Sequence, residues 1–198
     1  MIKKYSQAGQ DRFVLSLFNK DYKGIFVDVG CSLPVNINNT LMLEENGWNG
    51  ISLDIIDYSI EWQIRRTPFI VQDAIKCDYK ELFEKYNIPN LIDYLSLDIE
   101  GDGQRYEALK QVMASGHEFK VITIEHDAYR GYDLTERQPQ RKLLKERDYL
   151  LLCSNVLNDG FEMEDWWINP KYFNESEYNF YICSNFEYSD VLNRIYLK

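Results

Sequence analysis

The chain is poor in the residues that most often carry chemistry by themselves: it has two histidines and four cysteines among 198 residues. Cys31, Cys77, Cys153 and Cys183 are scattered, with neither the paired spacing of a zinc site nor a disulfide framework, and read as reduced thiols in the core or near a site. No stretch approaches the roughly 20 apolar residues of a membrane span, so no membrane partner is expected. The opening MIKKYSQAGQDRF turns polar at Ser6–Arg12, where a secretory signal would carry its apolar middle, and the expectation is a cytoplasmic chain. Positive charge is also short. Against 32 Asp and Glu stand 22 Lys and Arg, a formal net charge of -10 that argues against broad phosphate-backbone contact and hence against nucleic acid. Two phosphate-binding signatures are missing as well. Gly30 is followed by Ser32 and Val35 where the later glycines of G-x-G-x-x-G would fall, and there is no Gly-Lys-Ser/Thr loop.

What is present is an alternation. Apolar runs of strand length begin at Gly24, Gly50, Pro68, Ile92 and Lys120, rich in Val, Ile, Leu and Phe as strands buried on two faces are. Segments of helical period separate them: NNTLMLEENGW, which Asn38 or Asn39 can cap and Gly47 can end; YKELFEKYN; and YEALKQVMASG, with Tyr106, Leu109 and Met113 along one face. After a polar stretch, YLLLCSNV and GFEMEDWWI read as a hairpin turning at Asn158, Asp159 and Gly160. The order predicts an α/β fold with a mostly parallel sheet and helices on both faces. No repeat or linker divides it, so residues 1–198 are expected to form a single domain, with 1–22 as an N-terminal helical cover and 169–198 as a C-terminal extension.

In open α/β sheets ligands bind beyond the carboxyl ends of the strands, and acids recur there: Asp28, Asp54, Asp73, Asp98 with Glu100, and Glu125 beside His126. Any one Asp is equally a turn or cap residue. As a series they repel a pyrophosphate and call for a cationic or hydroxyl-bearing ligand. Asp54 lies about 20 residues beyond the Gly30 turn, where an acid takes a ribose diol. S-adenosylmethionine (SAM) has a ribose, an adenine, an amino acid end, a sulfonium cation and no phosphate.

The segments YSQAGQDRFVL, GIFVDVGCSLPVNINNTLMLEENGWNGISLDI, IDYLSLDIEGD, VITIEHD and, more loosely, EDWWINP occur in this order from Tyr5 to Pro170. As a set they resemble the FkbM-type family of SAM-dependent methyltransferases. The resemblance implies a Rossmann-like class I fold of seven strands ending in an antiparallel hairpin. It also implies residue roles. Asp28 and Gly30 would line the methionine end of the cofactor, with Cys31 in the same turn and Asn39 and Thr40 at the next helix start. Asp54 would hold the ribose and Ile55 would pack on adenine. Asp73 would accept from the adenine amino group with Ala74 adjacent, and Asp98 would sit near the sulfonium or the amino acid. The sequence departs from the family pattern in two places: GCSLPVNINNT replaces a more glycine-rich run, and LDIID stands where a glutamate and proline are often found.

The expected activity is O-methylation of a sugar, glycan or secondary-metabolite hydroxyl, which needs alignment, exclusion of water and a base. The candidate catalytic group is Glu100, Glu125 and His126; an imidazole of reference pKa about 6.5 suits the task. His117, at a helix end, reads as a surface or capping residue. A divalent cation held by Asp98, Glu100, Asp102 and Glu125 is the less favoured alternative. In SQAGQD, Ser6 can cap a helix, or Gln7, Gln10 and Asp11 can fold over the cofactor crevice. Of Trp166 and Trp167, one is expected in the core and one at the surface. Rival readings are a nicotinamide-dependent oxidoreductase, which the missing glycines oppose, and a non-catalytic nucleoside-binding module.

Overall fold

Strand β1 (Ile25–Val29) is apolar at all but one position and, with four of its five residues buried, has neighbours on both edges. The computed structural model describes residues 5–194 and arranges them around it. The chain forms β2 (Asn49–Asp54), β3 (Phe69–Val71), β4 (Leu91–Leu97), β5 (Glu118–Glu125), β6 (Leu150–Asn158), β7 (Phe161–Ile168) and β8 (Cys183–Ser184). Their order in the sheet is β3-β2-β1-β4-β5-β7-β6-β8. Strands β1 to β5 are parallel, β7 runs antiparallel between β5 and β6, and β8 adds in parallel to β6. This is the Rossmann-like arrangement expected for a class I methyltransferase, with eight strands instead of seven. The chain winds outward through β2 and β3, then returns to place β4 beside β1, so the switch point opens between those two strands.

Helices cover both faces. Helices α3 (Tyr79–Lys85), α4 (Gln104–Ala114) and α5 (Gln138–Lys145) pack Phe83, Leu109, Val112 and Leu144 into one apolar layer. Helices α1 (Gln10–Ser16), α2 (Leu41–Glu45) and α7 (Tyr188–Asn193) bring Phe13, Val14, Leu43, Val191 and Leu192 into the other. Between the last two of these lie the short α6 (Glu175–Tyr178) and β8. Adjacent strand residues point to opposite faces. Trp167 therefore enters the first layer, while Trp166 enters the second and stacks on Phe13 with ring centroids 4.5 Å apart. Both are fully buried, which corrects the expectation of one at the surface: a sheet covered on both sides has no wet face there.

Local signals behave as their chemistry requires, with some shifts. Asp78 caps α3 by accepting from the Glu81 amide at 3.0 Å. The N-cap position of α2, only five residues long, falls to Thr40, whose side chain makes no capping bond; Asn38, two residues earlier, accepts from the Thr40 and Leu41 amides at 3.1 and 2.9 Å. Gly47, at φ 87°, stops the helix. The expected strand from Pro68 shortens to three residues, because Asp73 folds back to accept from the Ile75 amide at 3.1 Å. The hairpin turns through Asp159 and Gly160, both at positive φ, as a two-residue turn demands. Helix α4 has no capping side chain of its own; Glu136 reaches over to accept from the Arg105 and Tyr106 amides at 3.1 and 2.8 Å. His117 is half-buried with its ring edge-on to Phe83, 4.7 Å away, far from the strand ends that carry the acids.

Candidate active site

The β1–β4 switch point is closed at its base by a glycine. Gly30 has φ 81°, and a Cβ there would lie 1.9 Å from the Asp98 carbonyl oxygen, so only glycine lets the first turn touch the end of β4. Beyond it, the glycine-poor segment 31–40 is held by side chains. Arg65 Nη1 donates to the Pro34 carbonyl at 2.9 Å and to Asn38 Oδ1 at 3.0 Å, Trp62 Nε1 donates to the Ser32 carbonyl at 2.8 Å, and Asn38 Nδ2 donates to the Cys31 and Leu33 carbonyls, each at 3.2 Å. Directed hydrogen bonds replace the missing glycines in fixing the turn.

A cleft of about 480 Å³ opens above this base. Gly30, Asp54, Ile55, Asp73, Ala74, Asp98 and Glu100 of the candidate residues all line it. Asp54 closes the floor, accepting from the Ser32 amide through Oδ2 and the Ile56 amide through Oδ1, both at 2.9 Å. A carboxylate has about four lone-pair sites, so capacity remains for a diol. Ile55 and Ile56 are 66% and 55% exposed and offer apolar surface at the rim. Asp73 pairs with Lys76 at 2.8 Å, and that hydrogen bond holds its carboxyl below the ordinary range.

Asp28, Cys31, Asn39 and Thr40 lie beneath the turn instead of lining the cleft. Asp28 accepts from Thr40 Oγ1 at 2.9 Å, and burial raises its carboxyl to about 6. Burial likewise pushes the Cys31 thiol up, so it is no nucleophile. Asn39 donates to Ser96 Oγ at 3.0 Å, while its buried Oδ1 has no hydrogen-bond partner. Gln10 is buried too. It begins α1 after Gly9, not after a cap at Ser6, and donates to Glu164 at 2.8 Å.

A second cavity of about 250 Å³ adjoins the cleft, and Asp98 and Glu100 line both. Gln7, Glu125, Asp127 and Arg130 also line it, and Tyr129 and Phe161, with ring centroids 5.0 Å apart, form an aromatic wall. The carboxyls of Asp98 and Glu125 hydrogen-bond each other, and burial first, then their mutual proximity, lifts Glu125 well above its ordinary value. Arg105, with no solvent exposure, binds Glu125 through Nε at 2.9 Å and Asp127 through Nη2 at 3.1 Å. Glu100 is exposed and meets Arg130 at 3.3 Å.

His126 does not join this group, which corrects its assignment as a base. The strand turns inward after Glu125, and the ring is fully buried, with Nδ1 accepting from the Ala128 amide at 3.2 Å and Nε2 lying 3.5 Å from Asp165. Nor do the acids gather around a cation. Glu125 answers Arg105, Glu100 answers Arg130, and Asp102 accepts from Thr135; among the described residues no three His, Cys, Asp or Glu side chains form a metal-holding set. Arg105, Asp127 and Arg65 are the residues that sequence reasoning missed. The one available signal was Asp127 directly after the Glu125–His126 pair.

No protein-family model matches the chain, and no curated protein matches it. Several solved structures are similar. One is the crystal structure of PH0851, with a TM-score of 0.50 and 11% identity, covering 84% of this chain and 45% of that one. A second is the MycE methyltransferase of the mycinamycin biosynthetic pathway, in complex with magnesium and S-adenosylhomocysteine (SAH), with a TM-score of 0.49 and 14% identity, covering 68% and 38%. A third is an rRNA methylase from Streptococcus thermophilus, with a TM-score of 0.47 and 13% identity, covering 85% and 97%. The chain spans less than half the length of the first two. At such identities the likeness concerns the fold alone.

Proposed function

We propose that this protein is a SAM-dependent O-methyltransferase whose acceptor is a hydroxyl of a sugar, glycan or secondary metabolite. The observation that carries the proposal is the charge of the larger cleft. Asp54, Asp73, Asp98 and Glu100 line it, and among the described residues no Lys, Arg or His does. Two like charges 4 Å apart repel by about 4 kcal/mol at an effective dielectric of 20, so a pyrophosphate-bearing dinucleotide is disfavoured there and a sulfonium with an α-ammonium group is favoured.

SAM supplies an electrophilic methyl group for an in-line displacement. The chain's own residues do the rest. Asp54 holds a ribose diol, Ile55 and Ile56 flank a flat base, and Asp73 accepts from its amino group. Asp98, shared by both cavities, stands where donor and acceptor meet. An acceptor hydroxyl in the smaller cavity gives its proton to the Asp98–Glu125 carboxyl pair, with Arg105 fixing Glu125 in place. The half-exposed Tyr129 and Phe161 suit the face of a sugar ring. The excess of negative charge disfavours a nucleic acid acceptor.

Calorimetric titration with SAM and SAH tests the reading, repeated on Asp54→Ala. Binding by the parent and loss in the variant are expected. Absence of binding by the parent would remove the function, and equal binding by the variant would remove the ribose assignment. Transfer of label from the methyl-labelled donor to a panel of hydroxylated acceptors then identifies the substrate class.

A further inference from the structure

Cys153 and Cys183 lie outside both cavities and stand opposite each other in the parallel pairing of β6 with β8. In-register residues on neighbouring strands are about 4.8 Å apart at Cα and share a face, within the window of about 4.4–6.8 Å that a disulfide requires. Both are free thiols. Their surroundings differ in a way that divides the labour between them.

Cys153 is fully buried, its sulfur 3.3 Å from the Tyr181 carbonyl oxygen and beside the sulfur of Cys183, the two acceptors open to its single proton. Cys183 is half-buried. The Arg194 guanidinium stands near it, anchored on the Phe180 and Ile182 carbonyls at 2.8 and 3.3 Å. The hydrogen bond from Cys153, with help from Arg194, holds the Cys183 thiol below its ordinary value, while burial pushes Cys153 well above it. An accessible thiol beside a cation, with a second thiol in register behind it, is the arrangement of an attacking and a resolving cysteine.

We propose that Cys183 and Cys153 form a reversible redox pair, in which a peroxide oxidises Cys183 and Cys153 resolves the product into a disulfide joining β6 to β8. In the first step the Cys183 thiolate attacks the peroxide: an S–O bond forms, the O–O bond breaks, and the leaving oxygen departs as water or an alcohol after taking a proton. Sulfur is oxidised and the peroxide reduced. In the second step the Cys153 sulfur displaces the hydroxyl of the Cys183 sulfenic acid, and that hydroxyl leaves as water with the Cys153 proton. A thiol reductant reverses the bond by exchange.

The bond would add a covalent link to a segment that otherwise holds the sheet edge by a two-residue strand and a few hydrogen bonds beyond it. Its continuation, α7, covers the start of α1: Leu192 packs so closely on Gly9 that a Cβ there would come within 2.2 Å of it. The oxidised form therefore ties the tail across the helix from which Gln10 reaches Glu164.

The test uses the full chain. It is treated with equimolar hydrogen peroxide, its remaining thiols are alkylated under denaturing conditions, and its peptides are mapped by mass spectrometry. The expected product is a Cys153–Cys183 linked peptide, lighter by about 2 Da than the two reduced peptides. Dithiothreitol should abolish it, and Cys31 and Cys77 should remain alkylated. In Cys153→Ser, dimedone should trap a sulfenic acid at Cys183. Recovery of Cys183 in alkylated form after peroxide, or its oxidation without a link to Cys153, would overturn the proposal. The unmodified chain decides the matter even if the variant does not fold.

Discussion

Arg105 Nε donates to Glu125 Oε2 at 2.9 Å from a guanidinium that has no contact with solvent. The same guanidinium reaches Asp127 at 3.1 Å, so one cation from the first turn of α4 organises both acids at the end of β5. Burying an arginine is costly unless its donors are met, and here carboxylates meet them. The result is a carboxyl held at a fixed distance from the junction of the two cavities. Asp98, its hydrogen-bond partner, belongs to both.

Glu125→Gln should separate chemistry from cofactor binding. The amide fills the same space but cannot share a proton with Asp98 as the carboxyl pair does, so kcat should fall by about 10²–10⁴ while affinity for SAH changes little. Steady-state rates and calorimetry on the same preparation check this. An unchanged kcat would move the base elsewhere on the smaller cavity.

Gly30→Ala should be far more damaging than Gly103→Ala, although both glycines have positive φ, 81° and 74°. At Gly103 nothing lies within 4 Å of a new Cβ, so only the left-handed backbone is penalised, by about 1–2 kcal/mol. At Gly30 the new carbon also meets the Asp98 backbone, which cannot yield without opening the β1–β4 switch point. Urea unfolding should show the larger loss for Gly30→Ala, together with loss of SAH binding; equal losses would mean that the close approach is not essential.

These contrasts show what a sequence makes legible. Strand ends are visible because an apolar run stops at a polar residue, and this brought Asp54, Asp73, Asp98 and Glu125 forward. Facing is not visible. His126 follows the same strand end as Glu125, yet it turns into the core, where Asp165 and the Ala128 amide meet it. Arg105 and Arg65 look like ordinary surface cations, because nothing in a helix or loop pattern tells which arginine will find buried carboxylates. Strand β8 escaped notice for a different reason: two residues have no period, and the strand exists only because β6 offers it an edge. One of Trp166 and Trp167 is expected at the surface because the coverage of the second face by α1 and the tail is a tertiary fact.

Stability should depend on pH through Glu164. Burial raises its carboxyl to about 8 in the folded protein, against an ordinary 4.5. The native state therefore keeps a proton that the unfolded state has released, and its contribution is complete below about 4.5 and lost as pH rises through about 8. Glu164→Gln is neutral throughout and can still accept from Gln10. Its stability relative to the parent should increase by at least about 1 kcal/mol between about pH 5 and about pH 8. Asp165 behaves oppositely. Burial alone would raise it, but the hydrogen bonds from Arg141, with His126 close by, prevail and hold it at about 2, so its contribution is present above its ordinary 3.8 and is lost only as pH falls through about 2. Urea unfolding across that range checks the Glu164 effect, and parallel curves for parent and variant would show that the carboxyl is ionised in the fold.

Arg65 should control cofactor affinity from a distance. Its side chain is 1% exposed and lies over the Trp62 ring at 4.7 Å, with donors directed at Glu44, Pro34, Asn38 and Thr40. Arg65→Ala removes the buried guanidinium 3.0 Å from Glu44, which keeps only Arg66 and Thr67, so stability and binding would fall together. Arg65→Lys is the more informative variant. It keeps a positive charge for Glu44 but lacks the planar fork that serves several acceptors at once. The segment 31–40 would lose its hold at Pro34 and Asn38 while most of the stability survives. SAH affinity should then fall about tenfold, equivalent to about 1.4 kcal/mol, with a smaller change in kcat once the donor saturates. Calorimetry on a folded Arg65→Lys protein reads this directly. Parent-like affinity would show that Trp62 and Asn38 suffice to hold the turn, and that the guanidinium serves stability alone.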